Sequence, residues 1–255
     1  MYILSVDTTA KTAAVCLAKE DELLGLVPVS RLVLNSTVTH SESLLPMIGQ
    51  ALSLANVPLS SVDAFVITSG PGSFTGVRIG VSTVKGLAFS QGENAVCIPV
   101  STLYSLALNL CAYGDNVVVC PVMDARREQF YNALFSLKSK RAKRLCEDRV
   151  ITAKELVAEL CEKYPKRKIV LCGDGAALFY NLYKKYPGSE DLKISPALPG
   201  DLLQDAFSVA RAGYEILKQE SFDASQHGGS ALSPTYLRLS QAERERNERL
   251  LNENK

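Results

Sequence analysis

The stretch that decides the fold is SGPGSFTGVRIG, which occupies residues 69–80. It follows a strand predicted over residues 64–68 and begins a helix predicted over residues 76–90. A loop of this kind directs unpaired backbone amides and the positive end of the helix towards one point, where an anion or a carboxylate can bind. The glycine spacing is that of neither a Walker loop nor a Gly-x-Gly-x-x-Gly motif. A tight strand-to-helix turn capped by Ser73 or Thr75 is the other interpretation, and both can hold at once.

The regions on either side of this loop repeat one order of elements. Apolar periodicity in the first half predicts strands at residues 2–7, 13–18, 22–29, 64–68 and 95–100, and helices at residues 41–55, 76–90 and 103–111. The second half starts again with strands at residues 117–123, 130–137, 145–151 and 169–172 and a helix at residues 153–163. Two β-β-β-α-β-α units indicate an α/β fold with an internal duplication, and a generic α/β chain is the alternative.

The duplication also defines the predicted domains. It places an N-terminal lobe at residues 1–114 and a C-terminal lobe at residues 115–240, followed by a polar tail at residues 241–255. The tail mixes Glu and Arg at helical spacings, which predicts an exposed helix or a frayed end.

Composition and charge limit the classes of protein to which the chain can belong. Hydrophobic residues make up 47% of its 255 residues, which suits a packed globular protein. The formal net charge of +1 lacks the strongly basic signature of a nucleic-acid-binding protein. Two histidines exclude mechanisms that need several imidazoles, and seven cysteines without Cys-x-x-Cys spacing predict a reduced cytoplasm and no zinc site. Neither a secretory signal nor a membrane partner is predicted.

One short segment departs from this charge balance. Residues 138–144, from Lys138 to Arg144, contain five basic residues between two predicted strands. They can contact RNA phosphates, but a solvated hairpin tip is the favoured interpretation.

Two aspartates occupy matching positions in the two halves. Asp7 ends the first strand of one half and Asp124 ends the first strand of the other, and each begins a hairpin turn. A carboxylate at such a turn can hold hydrated magnesium, while Thr8 and Thr9 offer donors to a phosphate. The turn lacks the glycine that lets a phosphate approach the backbone, so an ordinary structural turn is favoured.

A second glycine-containing turn follows the predicted strand at residues 169–172. It contains Gly173 and Gly175, which can admit a flat ring of the size of adenine against the backbone. A turn that simply ends the strand explains these residues about as well.

The two helices of the first half carry more apolar surface than one sheet face needs. Leu44, Leu45, Ile48 and Leu52 form a broad stripe on the first helix, and the second is apolar nearly all round. A second apolar stripe needs a neighbouring helix or another protein as its partner. Burial within the fold is the favoured alternative.

These motifs together resemble the bacterial TsaB proteins over almost the whole chain. The similar segments are ILSVDTT at residues 3–9, HSESLLP at 40–46, GPGSFTGVRIG at 70–80, MDAR at 123–126 and PTYLR at 234–238. The resemblance implies a duplicated fold of the actin/Hsp70/sugar-kinase type. It also implies a role in forming N6-threonylcarbamoyladenosine beside the tRNA anticodon, with the transferase TsaD and the ATPase TsaE as partners.

Departures from the catalytic relative, TsaD, favour a non-catalytic partner. TsaD carries a metal-binding His-x-x-x-His, and Thr102 and Leu106 stand in the similar place here. Neither side chain replaces an imidazole ligand, so no catalytic or metal-binding residue is expected. The expected nucleotide site is at most vestigial, with weak ATP or ADP binding and no other cofactor. Its candidate residues are Asp7, Thr8, Thr9, Asp124, Gly173 and Gly175.

The resemblance also implies a surface on which TsaD binds. The surface is expected on the first-half helices, with a homodimer through the same helices as a possibility when TsaD is absent, and with tRNA reached only through the complex. Its candidate residues are His40, Leu44, Leu45, Ile48, Leu52, Arg78, Val81, Val84, Lys85 and Ala88. An ATP-dependent phosphotransferase that uses Asp7 or Asp124 is the alternative function. A metallopeptidase is disfavoured because the histidine pair is missing.

Overall fold

The computed structural model describes residues 1–92 and 95–238, in which strands form two sheets of matching order. The predicted tail at residues 241–255 lies outside the described residues. The first sheet has the order β3-β2-β1-β4-β5. Its strands are β1 (Tyr2–Asp7), β2 (Ala13–Asp21), β3 (Gly25–Leu34), β4 (Ala64–Gly70) and β5 (Val96–Ser101). β1 pairs antiparallel with β2 and parallel with β4.

The second sheet repeats this order as β10-β7-β6-β11-β12. Its strands are β6 (Val118–Asp124), β7 (Gln129–Asn132), β8 (Phe135–Lys138), β9 (Arg141–Arg144), β10 (Arg149–Thr152), β11 (Lys168–Cys172) and β12 (Lys193–Pro196). β6 pairs antiparallel with β7 and parallel with β11, as β1 does with β2 and β4. The duplicated α/β fold predicted from the order of elements is confirmed.

One predicted strand is wrong, because residues 130–137 form two strands rather than one. β6 pairs with β7 through Val122–Asp124 and with β8 through Val118 and Val119. Pro121 lies between these two registers and has no backbone N–H to donate to a ladder. The side chain of Asn132 donates to the Pro121 carbonyl at 2.9 Å. The proline therefore interrupts the ladder, and the chain leaves β7 and starts β8.

Helices and sheets alternate in five layers. The helices are α1 (His40–Leu54), α2 (Phe74–Ser90), α3 (Thr102–Leu108), α4 (Ala153–Lys163), α5 (Ala176–Leu182) and α6 (Ala206–Leu217). α1 and α2 cover the outer face of the first sheet, and α4 and α5 cover the outer face of the second. α3 and α6 lie between the sheets in a central apolar core. No helix of the described residues is long and apolar enough to cross a lipid bilayer.

The last helix ties the two halves together. α6 follows the second sheet in sequence, yet it packs across the first sheet. The Ser5 hydroxyl donates to the Ala206 carbonyl at 2.7 Å, and Asp205 at the N-cap forms an ion pair with Arg31 at 2.7 Å. Each predicted lobe therefore contains the strands of one sheet, but α6 of the second lobe packs on the sheet of the first lobe.

Candidate functional site between the lobes

The carboxyl ends of β1, β4, β6 and β11 lead into a cleft between the two sheets. Its volume is about 650 Å³, and both halves of the chain supply its walls. We call it the interlobe cleft. Its lining residues are those at 9–11, 40, 71–75, 123–126, 131, 174 and 235–238. In an α/β fold, ligands bind at the carboxyl ends of strands, which makes this cleft the candidate site.

The glycine loop at the edge of the cleft packs against the chain's own β1–β2 turn. The Ser73 amide donates to the Thr9 carbonyl at 2.6 Å, and the Thr8 hydroxyl donates to the Gly76 carbonyl at 2.8 Å. A Cβ atom on Gly72 or Gly76 would collide with the carbonyl oxygens of Thr9 and Thr8, respectively. Ser73 caps α2 by accepting from the Gly76 amide. These glycines therefore admit a neighbouring backbone, and the predicted strand-to-helix turn with a Ser73 cap is confirmed.

The carboxylate of Asp7, at the start of the turn on which this loop packs, is buried. Asp7 is 1% exposed and does not line the interlobe cleft. Its Oδ1 accepts hydrogen bonds from the Thr9 amide at 2.8 Å and from the Thr9 hydroxyl at 2.7 Å. Burial raises the pKa of Asp7 from its ordinary 3.8 to about 6, and hydrogen bonds from Thr9 and Thr68 offset only part of that effect. The side chain has the environment of a structural turn.

Asp124 differs because its side chain reaches the cleft. The side chain is 27% exposed, and its carboxylate accepts from the Arg126 amide at 2.7 Å and pairs with the Arg126 guanidinium at 3.4 Å. Asp174 lies beside it and accepts from the Asp124 amide at 3.3 Å. Burial of its carboxyl group raises the pKa of Asp174, although part of the residue remains exposed, and the nearby Asp124 carboxylate adds to the rise. The carboxylates that line the cleft, Asp124 and Asp174, thus both come from the second half of the chain.

The second glycine turn packs closely against β6. The Gly173 amide donates to the Leu202 carbonyl at 2.6 Å, and the Gly175 amide donates to the Val122 carbonyl at 3.1 Å. A Cβ atom on either glycine would collide with backbone atoms of Val122, Met123 or Asp124. Backbone atoms at the end of β6 therefore occupy the space beside Gly173 and Gly175.

The positions that resemble the metal ligands of TsaD lie in the core and not at the cleft. Thr102 and Leu106 are 0% and 1% exposed. The Thr102 hydroxyl has no hydrogen-bond partner within residues 1–92 and 95–238. Across those same residues, no three His, Cys, Asp or Glu side chains come together as metal donors would.

A strap formed by residues 234–238 joins the two sides of the cleft. The Thr235 amide donates to the Ser69 carbonyl at 2.7 Å, beside the glycine loop. The Tyr236 ring stacks on Phe74 with a centroid separation of 4.4 Å, and Arg78 Nε donates to the Tyr236 hydroxyl at 2.8 Å.

At its other end the strap reaches the second half of the chain. The Arg238 guanidinium donates to the Ala125 carbonyl at 2.5 Å. No pattern within the PTYLR segment indicates that it spans the cleft, because its contact residues are more than 100 positions away in the chain.

The predicted docking residues on α1 and α2 divide into buried and exposed groups. Six of them face the first sheet as part of its core, with exposures of 9% or less: Leu44, Ile48, Leu52, Val81, Val84 and Ala88. These six side chains cannot be reached by a partner, because the subunit's own sheet covers them. His40 lies at the cleft, where its Nε2 is 2.7 Å from the Ala10 carbonyl, and Arg78 lies 3.9 Å from the Phe74 ring. Lys85 is half-buried.

The outward side of the same two helices carries exposed apolar side chains and glycines among polar residues such as Glu42, Gln50 and Ser82. We call it the outer helix face and define it by the exposed residues Leu45, Gly49, Leu54, Gly86 and Phe89. Leu45, Leu54 and Phe89 are 56%, 70% and 87% exposed. No atom lies within 4 Å of the place where a Cβ would stand on Gly49 or Gly86. An exposed glycine inside a helix costs about 1 kcal/mol relative to alanine, and nothing within the subunit explains that cost.

Comparison with known proteins identifies the family. The family model described as TsaD, tRNA N6-adenosine threonylcarbamoyltransferase, matches residues 34–245. The chain belongs to this family. The tRNA threonylcarbamoyladenosine biosynthesis protein TsaB of Bacillus subtilis is 29% identical over 245 residues, which cover 95% of this chain and 96% of that protein. The protein of the same name from Haemophilus influenzae is 32% identical over 131 residues, or 51% of this chain and 52% of that protein.

Solved structures share the fold of this chain. A crystal structure from Pseudomonas aeruginosa, described as similar to the peptidase YEAZ, superposes with a TM-score of 0.71 and 25% identity over 93% of this chain and 99% of that one. YeaZ from the same organism gives a TM-score of 0.68 and 26% identity, with 92% and 99% covered. The duplicated fold is therefore shared with these proteins over nearly their whole length.

Proposed function

We propose that this chain takes part in forming N6-threonylcarbamoyladenosine in tRNA, as a non-catalytic partner and scaffold of the TsaD transferase. The similarity that extends over 95% of the chain to a protein named for threonylcarbamoyladenosine biosynthesis supports the reaction. The family match over residues 34–245 supports kinship with the transferase itself.

One observation carries the non-catalytic part of the proposal. The glycine loop and the β1–β2 turn, which are the two candidate phosphate-binding segments, pack directly on each other, and Asp7 at the start of the turn is buried. A phosphate or a hydrated magnesium ion needs the space that the Thr8 and Thr9 carbonyls occupy. A phosphotransferase that acts through Asp7 is thereby disfavoured.

The outer helix face supports the scaffold part. A partner helix that approaches closely needs small residues beneath it, and Gly49 and Gly86 supply them at positions where glycine has no role inside the subunit. The exposed Leu45 and Phe89 offer apolar area beside these glycines to a TsaD helix. Without TsaD, the same face is available for pairing with a second copy of the chain.

Reconstitution of the modification reaction tests the proposed function. TsaD, TsaE, a threonylcarbamoyl adenylate source and unmodified tRNA are combined with and without this chain, and N6-threonylcarbamoyladenosine is measured by mass spectrometry of digested tRNA. We expect modification to depend on the chain and to survive Asp7→Asn and Asp124→Asn. Equal modification without the chain contradicts the proposed role, and loss of modification in either variant favours the phosphotransferase alternative.

Co-elution with TsaD tests the outer helix face. Leu45→Asp and Phe89→Asp each place a charge where the partner would bury apolar surface, so we expect co-elution to be lost while the melting temperature stays unchanged. Leu23→Asp is the matched control, because Leu23 is 90% exposed on the β2–β3 turn. Val81→Asp is unsuitable as a test, because Val81 is 3% exposed and the variant would unfold. Retained co-elution of Leu45→Asp and Phe89→Asp would place the partner on another surface.

A further inference from the structure

Basic side chains gather at the end of the second sheet that lies opposite the interlobe cleft. The β8–β9 hairpin tip contacts the loop that precedes β6, because the Ser139 amide donates to Asp115 Oδ1 at 2.8 Å. Arg167, just before β11, donates through Nε to the Asn116 carbonyl of the same loop at 3.1 Å. β11 then pairs with β12 so that Lys168 lies opposite Lys193. Three separate segments thus form one continuous surface.

We call this surface the basic end. Its eight basic residues are Lys138, Lys140, Arg141, Lys143, Lys166, Arg167, Lys168 and Lys193. All are exposed except Arg167, which is half-buried. None of them forms a salt bridge with another residue of the described ranges, whereas the neighbouring Arg144 and Lys163 pair with Asp148 and Glu159. The acidic residues at or beside this end are Asp115, Glu162, Glu190 and Asp191. The surface therefore keeps an excess of positive charge although the whole chain has a net charge of only +1.

The composition of the basic end favours a polyanion over a protein as its partner. Protein interfaces are depleted in lysine and centre on buried apolar or aromatic side chains. Six of the eight basic residues are lysines. Of the large hydrophobic residues that are exposed on the described chain, Leu145 follows Lys143 by two positions, and the most exposed ones, such as Leu23, Leu54 and Phe89, lie elsewhere. Lysines on flexible stems bind phosphates through charge, and they gain affinity from the release of counterions.

We propose that the basic end binds the phosphate backbone of the tRNA, away from the nucleotide that is modified. The choice of RNA as the polyanion rests on the proposed role in tRNA modification. The cleft remains available to other partners, because the basic end lies at the opposite ends of β6 and β11. The outer helix face also remains available, because α1 and α2 cover the first sheet and the basic end belongs to the second. The surface supplies affinity and orientation without reading sequence, since phosphate contacts carry no base identity.

The test measures tRNA binding by the full chain in complex with TsaD and TsaE. Two charge-reversal variants are used, Lys140→Glu/Arg141→Glu at the hairpin tip and Lys166→Glu/Lys168→Glu beside β11. The matched control is Lys19→Glu/Lys154→Glu, which reverses the charge of two exposed lysines outside the basic end. Binding of labelled unmodified tRNA is followed by fluorescence anisotropy at several salt concentrations.

We expect each basic-end variant to weaken tRNA binding about tenfold at low salt, and to lower the slope of log Kd against log salt concentration by about 1.5, as two lost phosphate contacts predict. The KM for tRNA should rise while kcat stays unchanged, and the control should behave as the wild-type protein. Unchanged affinity and slope in both variants would overturn the proposal. Loss of co-elution with TsaD at unchanged tRNA affinity would also overturn it, by showing a protein interface. The binding assay is separate from the modification assay. If the proposed function is wrong, the wild-type chain will fail to support modification, and this result is distinguishable from a failure of the basic end to bind tRNA.

Discussion

Asp7 and Asp124 occupy the same position in the two copies of one duplicated unit, yet their surroundings differ. Asp7 is 1% exposed and accepts hydrogen bonds from Thr9, whereas the Asp124 side chain is 27% exposed and reaches the cleft. The backbone registers around them correspond, since β1 and β6 have the same partners in each sheet. The contrast shows that duplication repeats the backbone, while the segments that pack against each turn decide whether the repeated aspartate reaches solvent.

The largest effect is expected from disrupting the packing of the glycine loop on the β1–β2 turn. A methyl group added by Gly76→Ala would meet the Thr8 carbonyl oxygen, so the turn and α2 must move apart. We expect the free energy of unfolding to fall by about 3 kcal/mol in urea denaturation.

Gly86→Ala on the same helix is the control for this substitution. It lies in open space and should raise the free energy of unfolding by about 0.5–1 kcal/mol. Equal effects of the two substitutions would show that the loop is not tightly packed on the turn.

A comparable or slightly smaller effect is expected from neutralising Asp7. Its pKa of about 6 in the folded chain exceeds the ordinary 3.8, so the folded state binds this proton more tightly than the unfolded state. The resulting stabilisation is complete below pH 4 and is lost as pH rises through 6, and it amounts to about 3 kcal/mol. Asp7→Asn removes this dependence.

The stability difference between Asp7→Asn and the wild-type protein should therefore shift with pH. The variant should gain about 2–3 kcal/mol relative to the wild-type protein between pH 4 and pH 7.5. The measurement is urea denaturation of both proteins at each pH, and a difference that is the same at both would contradict the buried environment of the carboxyl group.

The smallest effect is expected at the matching position. Asp124→Asn removes a carboxylate whose ion pair with Arg126 is largely exposed, so stability should change by about 0.5 kcal/mol or less. Thermal melting of this variant beside Asp7→Asn at pH 7.5 checks the contrast between the two turns. A change of about 2–3 kcal/mol, as large as the one expected for Asp7→Asn, would mean that Asp124 is as enclosed as Asp7.

Periodicity in the sequence was sufficient for most elements of the fold. Helix α4 was predicted at its observed bounds, and strand β1 likewise, because both follow one clear pattern of apolar residues. The strand predicted over residues 130–137 was wrong because its break depends on Pro121, which lies on the partner strand. The apolar pattern of one strand does not show where the neighbouring strand lacks a backbone N–H group to donate to it.

The candidate site was predictable only in part. The glycine loop, both aspartates and the glycine turn at Gly173 were all recognised, and the structure gathers the loop, Asp124 and Asp174 around one cleft. The apolar stripes on α1 and α2 were recognised as well, but most of their residues face the first sheet. Composition cannot tell which side of an apolar helix the subunit buries.

The order of most elements, the duplication and the scarcity of histidine were determined by the sequence alone, because they depend on residues that are near one another in the chain or on simple counts. Only the tertiary structure decided what fills the gaps beside the glycines, which aspartate meets solvent and where residues 234–238 lie. A glycine in the sequence indicates that another group packs closely against the backbone at that position, but it does not identify the group. Here the Thr8 and Thr9 carbonyls fill the space beside the loop, and they come from a turn more than 60 residues earlier in the chain.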